Sequence, residues 1–352
     1  MKERMDDYLK MTVERGATDL HMTAGRPPQL RIDGELVLVD EGPLLPEDIE
    51  ELAFSILGDT QIGYFRAQKE LDTSYGLKGI GRFRINLFYQ RSSVGCAIRF
   101  IPFKVPMIED LGLPLGLKEF CDKSSGLFLV CGPTGCGKST TLAAMIEYMN
   151  QTRGCNIVTV EDPIEYLHKH NRSTINQREL GRDTHSFAEA LKHVVRQDPD
   201  VIMIGEMRDL DTMQAAITLS ETGHLVLATL HTVDTTNSIA RIVDVFPSFQ
   251  QQQIRLQLSL VLLGVIVQQL IPRRDSKGRT LAYELMRATP AIKNMVRENT
   301  LHQIYSVLQT GRSEGMVTMN QSLIELHRKN IISRDEAIKR SANPEELRRI
   351  IL

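Results

Sequence analysis

The sequence predicts an α/β chain in two parts: an α+β first third, then a mostly parallel sheet covered by helices and built around a phosphate-binding loop. Three observations carry this. Residues 132–139 read Gly-Pro-Thr-Gly-Cys-Gly-Lys-Ser, the spacing G-x-x-x-x-G-K-[ST] that holds the phosphates of ATP or GTP. Short apolar runs at 127–131, 157–160, 201–204 and 225–229 alternate with helix-like segments, the pattern of a parallel sheet wrapped by helices. Two stretches before residue 102 alternate apolar and polar residues around turn signals, as half-buried hairpins do.

In chain order, residues Gln29 to Val39 alternate on both sides of Asp33-Gly34, which marks a tight turn between strands. A second hairpin is expected from Arg82 to Ile101. There Phe83, Ile85 and Leu87 share one face, and Arg82, Arg84 and Asn86 the other. Pro102 and Pro106 interrupt the pattern, and 101–114 is expected as an interdomain linker. After the phosphate loop, Leu142, Met145, Ile146 and Met149 follow helical spacing. The most apolar run, 260–267, is interrupted by Gly264 and flanked by Gln257, Gln268 and Gln269. It is too short to span a bilayer and is expected as a buried helix. Beyond it, Thr318-x-x-Gln321 and Ser333-x-x-Glu336 read as capping boxes, and Pro344 as the opening of a last helix. The expected division is therefore 1–100, a linker at 101–114, an ATPase core at 115–270 and a mainly helical region at 271–352.

Composition narrows the class. A chain of 352 residues has room for two or three domains, and a net charge of −2 argues against a generally basic nucleic-acid binder. The first ten residues are charged from the start, so no signal peptide is expected. The five cysteines (Cys96, Cys121, Cys131, Cys136, Cys155) contain no C-x-x-C pair. That disfavours a zinc site and fits reduced cytosolic thiols.

The phosphate loop comprises Gly132, Pro133, Thr134, Gly135, Cys136, Gly137, Lys138, Ser139 and Thr140. Its glycines let backbone N–H groups converge on an anion. Lys138 reaches the β- and γ-phosphates, and the Ser139 hydroxyl is the candidate Mg²⁺ ligand. Hydrolysis also needs a group that orients water. The segment 201–206, Val-Ile-Met-Ile-Gly-Glu, ends a strand-like run on Glu206, with Gly205 where an aspartate is usual. Glu206 is thus the acid left to position water or to act on Mg²⁺ through water. Glu161, Asp162 and Glu165 crowd the end of another run, and such carboxylates repel a triphosphate unless cations intervene. Glu161 is read as a metal-shell or water-positioning group, with a solvated turn as the alternative. His224 and His231 flank a strand-like run. They are read as γ-phosphate or subunit contacts, with a hydrogen-bonded structural role as the alternative. Arg82, Arg84 and Arg99 lie on expected strands. They either neutralise γ-phosphate charge from another domain or subunit or form a solvated strand face.

These segments together resemble the secretion ATPase superfamily, and within it the PilT-type pilus retraction ATPases. Gly16-Ala-Thr-Asp-Leu-His21 is similar to the family's N-terminal signature, and Gly81-Arg-Phe-Arg-Ile-Asn86 to its arginine-bearing strand. Residues 131–141 resemble its Walker A region, and Val160-Glu-Asp-Pro-Ile-Glu165 its Asp box. Residues 197–209 resemble its atypical Walker B segment, and Thr222-Gly-His-Leu-Val-Leu-Ala-Thr-Leu-His-Thr232 its His box. The resemblance implies a PAS-like N-terminal domain, a RecA-like ATPase domain and C-terminal helices. It implies a homohexamer using ATP and Mg²⁺, with Glu206 catalytic, Glu161 assisting and Arg208 in an intersubunit contact. It further implies a cytoplasmic protein, associated with the inner membrane at the pilus base, that acts on an inner-membrane platform protein. A chain that starts near the PAS-like domain without paired cysteines is expected to retract pili rather than extend them. Residues 290–298 resemble a C-terminal retraction motif, with Lys293 at a usual arginine and, in the glycine loop, Cys136 at a usual serine. Three other functions stay open: an accessory nucleotide-binding retraction-ATPase paralogue that modulates another motor, a pilus-extension or secretion ATPase, and a DNA translocase.

Overall fold

The computed structural model describes residues 1–32, 34–101, 105–275 and 278–351. The chain divides into two compact units, Met1–Lys104 and Val105–Leu352. Asp33 of the first hairpin turn, and 102–104 of the expected linker, lie outside the described residues.

The first unit runs α1 (Lys2–Glu14), β1 (Asp19–Met22), β2 (Gln29–Ile32), β3 (Glu35–Leu38), α2 (Pro46–Phe54), α3 (Asp59–Gln68), β4 (Glu70–Leu77), β5 (Gly81–Gln90) and β6 (Ser93–Ile101). Its antiparallel sheet has the order β3-β2-β1-β6-β5-β4. Both expected hairpins are present, as β2–β3 and β5–β6. Phe83, Ile85 and Leu87 point into a core shared with Met5, Leu9 and Leu52 of the helices. This is the PAS-like α+β arrangement. Arg82 and Arg84 stand on the opposite face of β5, and Arg84 is paired in register with Arg99 of β6. Like charges placed opposite each other repel. Aspartates on flanking strands offset them: Arg84 reaches Asp72 at 3.6 Å and Arg99 reaches Asp19 at 2.8 Å.

The second unit opens with α4 (Leu117–Cys121), β7 (Gly126–Cys131), α5 (Lys138–Thr152), β8 (Asn156–Glu161), β9 (Thr174–Glu179), α6 (Phe187–Val194) and β10 (Val201–Ile204). It continues with α7 (Leu210–Glu221), β11 (Leu225–Leu230), α8 (Thr235–Asp244), α9 (Ser248–Val261), β12 (Leu262–Pro272) and β13 (Arg279–Arg287). Five helices end it: α10 (Pro290–Arg297), α11 (Ile304–Thr310), α12 (Met319–Arg328), α13 (Arg334–Arg340) and α14 (Pro344–Ile350). The sheet order is β13-β12-β7-β11-β10-β8-β9, parallel except for the β12–β13 pair. The four central strands β7, β8, β10 and β11 are the four apolar runs. Helices cover both faces, as continuous hydrophobic strands require.

Three boundaries differ from the sequence reading. The run 260–267 is not one buried helix, because α9 ends at Val261 and 262–267 open β12 beside β7. Val265, Ile266 and Val267 are β-branched and fit a pleated surface. A Cβ on Gly264 would meet the Met286 carbonyl at 2.7 Å and the Phe120 ring at 3.1 Å. The core does not stop at 270 either, since β12 runs to Pro272 and β13 lies wholly within the region expected to be mainly helical. Finally, 101–114 is not all linker. Ile101 closes β6, whereas Ile108 and Leu113 are buried in the second unit beneath Leu117 and Phe120. The last helices are tied to the sheet by Glu284 of β13. Its carboxylate accepts from the Thr235 N–H (2.9 Å), the Thr235 hydroxyl (2.8 Å) and the Met319 N–H (3.3 Å), sealing the first turns of α8 and α12.

Candidate active site

Four parallel strands end on one side of the sheet, and each delivers a polar group there. β7 leads into the glycine loop, β11 ends just before His231, β10 just before Gly205-Glu206, and β8 on Glu161. Their order across the sheet is β7-β11-β10-β8. With strands about 4.8 Å apart, the loop, His231, Glu206 and Glu161 stand in a row at the strands' carboxyl ends, where ligands of open α/β sheets bind. The cleft has a volume of about 430 Å³ and is lined by Lys138, Ser139, Glu161, Glu206 and His231 among others.

The loop is bent by glycines in the left-handed region: Gly132 (φ +138°), Gly135 (+77°) and Gly137 (+95°). At Gly132 a side chain is excluded twice over. Its Cβ would meet the Gln268 carbonyl oxygen at 2.5 Å and the Cys136 Sγ at 2.6 Å. Helix α5 starts at Lys138, so its unpaired N–H groups and positive end face the cleft. Thr141 in its first turn is locked to the buried Gln268 of β12 by hydrogen bonds of 2.8 and 3.1 Å.

The Lys138 Nζ donates to the carbonyls of Gly132 (2.8 Å) and Pro133 (3.2 Å), and approaches the His231 Nδ1 at 3.4 Å. An ammonium has only donors, so Nδ1 accepts and the Nε2–H donates to the Glu206 carboxylate, 3.4 Å away. The other Glu206 oxygen pairs with the Arg208 guanidinium at 2.5 Å. Lys138, His231, Glu206 and Arg208 thus form one charged chain across the cleft. Gly205 sits where β10 passes closest to the end of β8. A Cβ there would come within 3.2 Å of the Val160 carbonyl and 3.3 Å of the Glu161 Cα, so any side chain would need those neighbours to shift.

Glu161 is nearly enclosed. It accepts from the Thr159 hydroxyl (2.6 Å) and the Gln177 Nε2 (3.1 Å), and burial pushes its carboxyl up to about 7 against those bonds. The segment after it, 162–168, carries Tyr166, whose hydroxyl meets the Thr140 hydroxyl at 3.0 Å. The oxygen-rich set of Ser139, Glu161 and Glu206 suits a hard divalent cation. Among the described residues, no group of three or more His, Cys, Asp or Glu forms a cage for a metal.

The remaining expected residues fall differently. His224 is at the opposite end of β11, about 20 Å from the loop at 3.3 Å per residue. It bonds the Thr222 hydroxyl (3.1 Å) and the Leu219 carbonyl (3.0 Å), closing a turn. It cannot touch a γ-phosphate in its own chain, and the hydrogen-bonded structural alternative fits its place. Arg208, expected at an intersubunit contact, faces the cleft and pairs with Glu206. Cys136 is buried beneath the loop, and burial raises its thiol pKa, which makes it a packing residue rather than a reactive thiol. The Lys293 Nζ caps the end of α9 through the Leu260 carbonyl at 3.1 Å. Arg82, Arg84 and Arg99 share one face of the first unit's sheet, and Arg82 donates to the Ser74 hydroxyl at 2.7 Å. Sequence reasoning missed Tyr166, Gln177, Gln268 and Arg279. Arg279 reaches the Gly135 carbonyl at 3.5 Å. Each lies outside the glycine loop and comes to the site only through strand pairing or a loop.

A glycine loop at the switch of a parallel sheet, faced by two strand-end carboxylates, defines a P-loop ATPase with a RecA-like core. The description "Type II/IV secretion system protein" matches residues 114–350, and the chain belongs to that family. It is 44% identical over 339 residues to the "Type IV pilus retractation ATPase PilT" of Pseudomonas aeruginosa, covering 96% of this chain and 98% of that one. It is 39% identical to the "Type IV pilus ATPase PilU" of the same organism, covering 98% of this chain and 91% of that one. A crystal structure described as the pilus retraction motor PilT with bound ADP superposes with a TM-score of 0.93, at 48% identity and 98% coverage of both chains. Among the described residues, no helix is long and apolar enough to cross a membrane.

Proposed function

We propose that this chain is a MgATP-hydrolysing motor that powers retraction of type IV pili. The observation that carries the reading is near-full-length likeness to a retraction ATPase, joined to a site whose loop, lysine and strand-end acids are all in place. Loop amides and Lys138 hold the phosphates, and Ser139 shares the Mg²⁺ that comes with them. Glu206 orients the attacking water and Glu161 assists. The Nε2–H of His231 fixes one Glu206 oxygen and its Nδ1 faces Lys138, so charge arriving at the γ-position is felt at the acid. The bond between Arg208 and Glu206 holds the acid aside until that charge draws the guanidinium away. Arg82, Arg84 and Arg99 neutralise the γ-phosphate. Six copies form a ring on the cytoplasmic side of the inner membrane, and closure and opening around each nucleotide passes to a platform protein there.

Deletion of the gene, with pili imaged in living cells, tests this. Long, static pili in excess are expected; bald cells would instead assign the chain to extension. A second reading, an accessory ATPase that modulates another motor, is motivated by likeness to two different pilus ATPases of one organism. Purified protein that hydrolyses ATP at a motor-like rate by itself counts against it.

A further inference from the structure

The segment 162–168 contains no regular secondary structure, yet it bears Tyr166 and follows directly on Glu161. What holds it is the edge strand β9 and the residue that follows it. The Leu180 N–H donates to the Glu161 carbonyl (2.8 Å), and the Glu179 carboxylate accepts the Ile164 N–H (3.3 Å). Gln177 does most. Its Nε2 donates both to the Glu161 carboxylate (3.1 Å) and to the Tyr166 carbonyl (2.8 Å), and its Oε1 accepts the His168 N–H (3.0 Å). One side-chain amide thus satisfies two backbone groups of an irregular loop and one oxygen of a buried acid.

We infer that Gln177 is a positioning residue for ATP hydrolysis, acting through Glu161, whose carboxylate it ties to the loop that carries Tyr166. The inference rests on Glu161 assisting the reaction, as proposed above. Three bonds to one amide fix three things together. Glu161 is aimed at the cleft. The Tyr166 backbone is held where its hydroxyl meets Thr140. His168 is placed where its Nδ1 meets Glu147 of α5 at 3.3 Å. The loop is therefore fastened to the phosphate-binding helix at one end and to the sheet edge at the other. No apolar residue of similar shape replaces that amide, because only an amide donates and accepts on one rigid plane. Gln177 does not itself line the cleft, so it acts on a bound nucleotide only through the residues it holds.

The test is a double-mutant cycle on the full chain with Gln177→Met, which keeps length and shape, and Glu161→Gln. Gln177→Met should lower kcat at least tenfold, with KM for ATP within threefold and the binding stoichiometry of a fluorescent ADP analogue unchanged. If Gln177 acts through Glu161, adding it to Glu161→Gln should lower kcat by less than twofold more. Equal, multiplicative losses in the double variant overturn the inference, as does wild-type kcat in Gln177→Met beside an impaired Glu161→Gln. A Glu161→Gln protein with wild-type turnover instead removes the reading of Glu161 on which the inference stands. Should Gln177→Met not fold, Gln177→Asn, which holds the amide one methylene short of its partners, goes through the same cycle with the same outcomes.

Discussion

Glu206 and Lys138 share a site and differ in what their loss removes. Lys138 lies inside the loop and grips charge that is present in bound ATP, whereas Glu206 handles water that matters only in the reaction. Glu206→Gln should bind ATP within about threefold of wild type and lose turnover by about 100-fold or more. Lys138→Ala should lose both, as read by equilibrium binding and phosphate release. Glu161 adds a pH signature. Unfolded, it ionises near 4.5; folded, burial pushes it to about 7. Between those values the unfolded chain has given up a proton the folded chain keeps, so stability falls as pH rises through that window and then levels. The loss attributable to Glu161 is roughly 3 kcal/mol. In urea unfolding, Glu161→Gln should therefore gain on wild type between pH 5 and pH 8. A difference that stays constant with pH would show that Glu161 is not buried as described.

Elements owe their positions to a few polar anchors as well as to apolar faces. Helix α12 opens with a reciprocal capping box, in which the Thr318 hydroxyl accepts the Gln321 N–H at 3.2 Å and the Gln321 side chain accepts the Thr318 N–H at 3.0 Å. The same helix start is bonded to Glu284 of β13. Thr318 is buried, so water cannot replace its hydroxyl. Thr318→Ala should destabilise the chain by about 1–2 kcal/mol in urea titration, with KM for ATP unchanged because α12 lies outside the cleft. An effect below a few tenths of a kcal/mol would mean that the box contributes nothing to the sheet's hold on the C-terminal helices.

At the scale of the whole molecule, the proposed arginines and acids belong to different compact units. In a ring whose sites take arginines from one subunit and Glu206 from the next, defects complement. Arg99→Ala and Glu206→Gln should each be nearly inactive alone. Mixed before assembly, they should regain a measurable part of wild-type ATPase activity, because some interfaces then receive both intact groups. No recovery, with subunit exchange verified by native mass spectrometry, would mean that the arginines and the acid do not meet across a subunit interface.

Much of this was legible in the residues. The glycine loop, the four central strands and both hairpins follow from local pattern, because each is specified by residues close together in the chain: φ-permissive glycines, β-branched runs, and alternation about a turn. The position of Glu206 after a buried strand was readable for the same reason. The strand β12 was not, since seven apolar residues around one glycine fit a helix or a strand equally and only the free edge of β7 decides. Nor were Gln177, Gln268 and Arg279, polar residues outside any recognisable chemical pattern, made important by what they meet across the sheet. His224 and His231 are equivalent in sequence, one at each end of an apolar run, and strand direction alone puts one in the cleft and the other in a distant turn. The sequence by itself determined which groups this protein can bring to a triphosphate, because those groups are written into short segments. Only the tertiary structure decided which of them face it, because strand order and direction, set by long-range pairing, choose the end of the sheet where they meet.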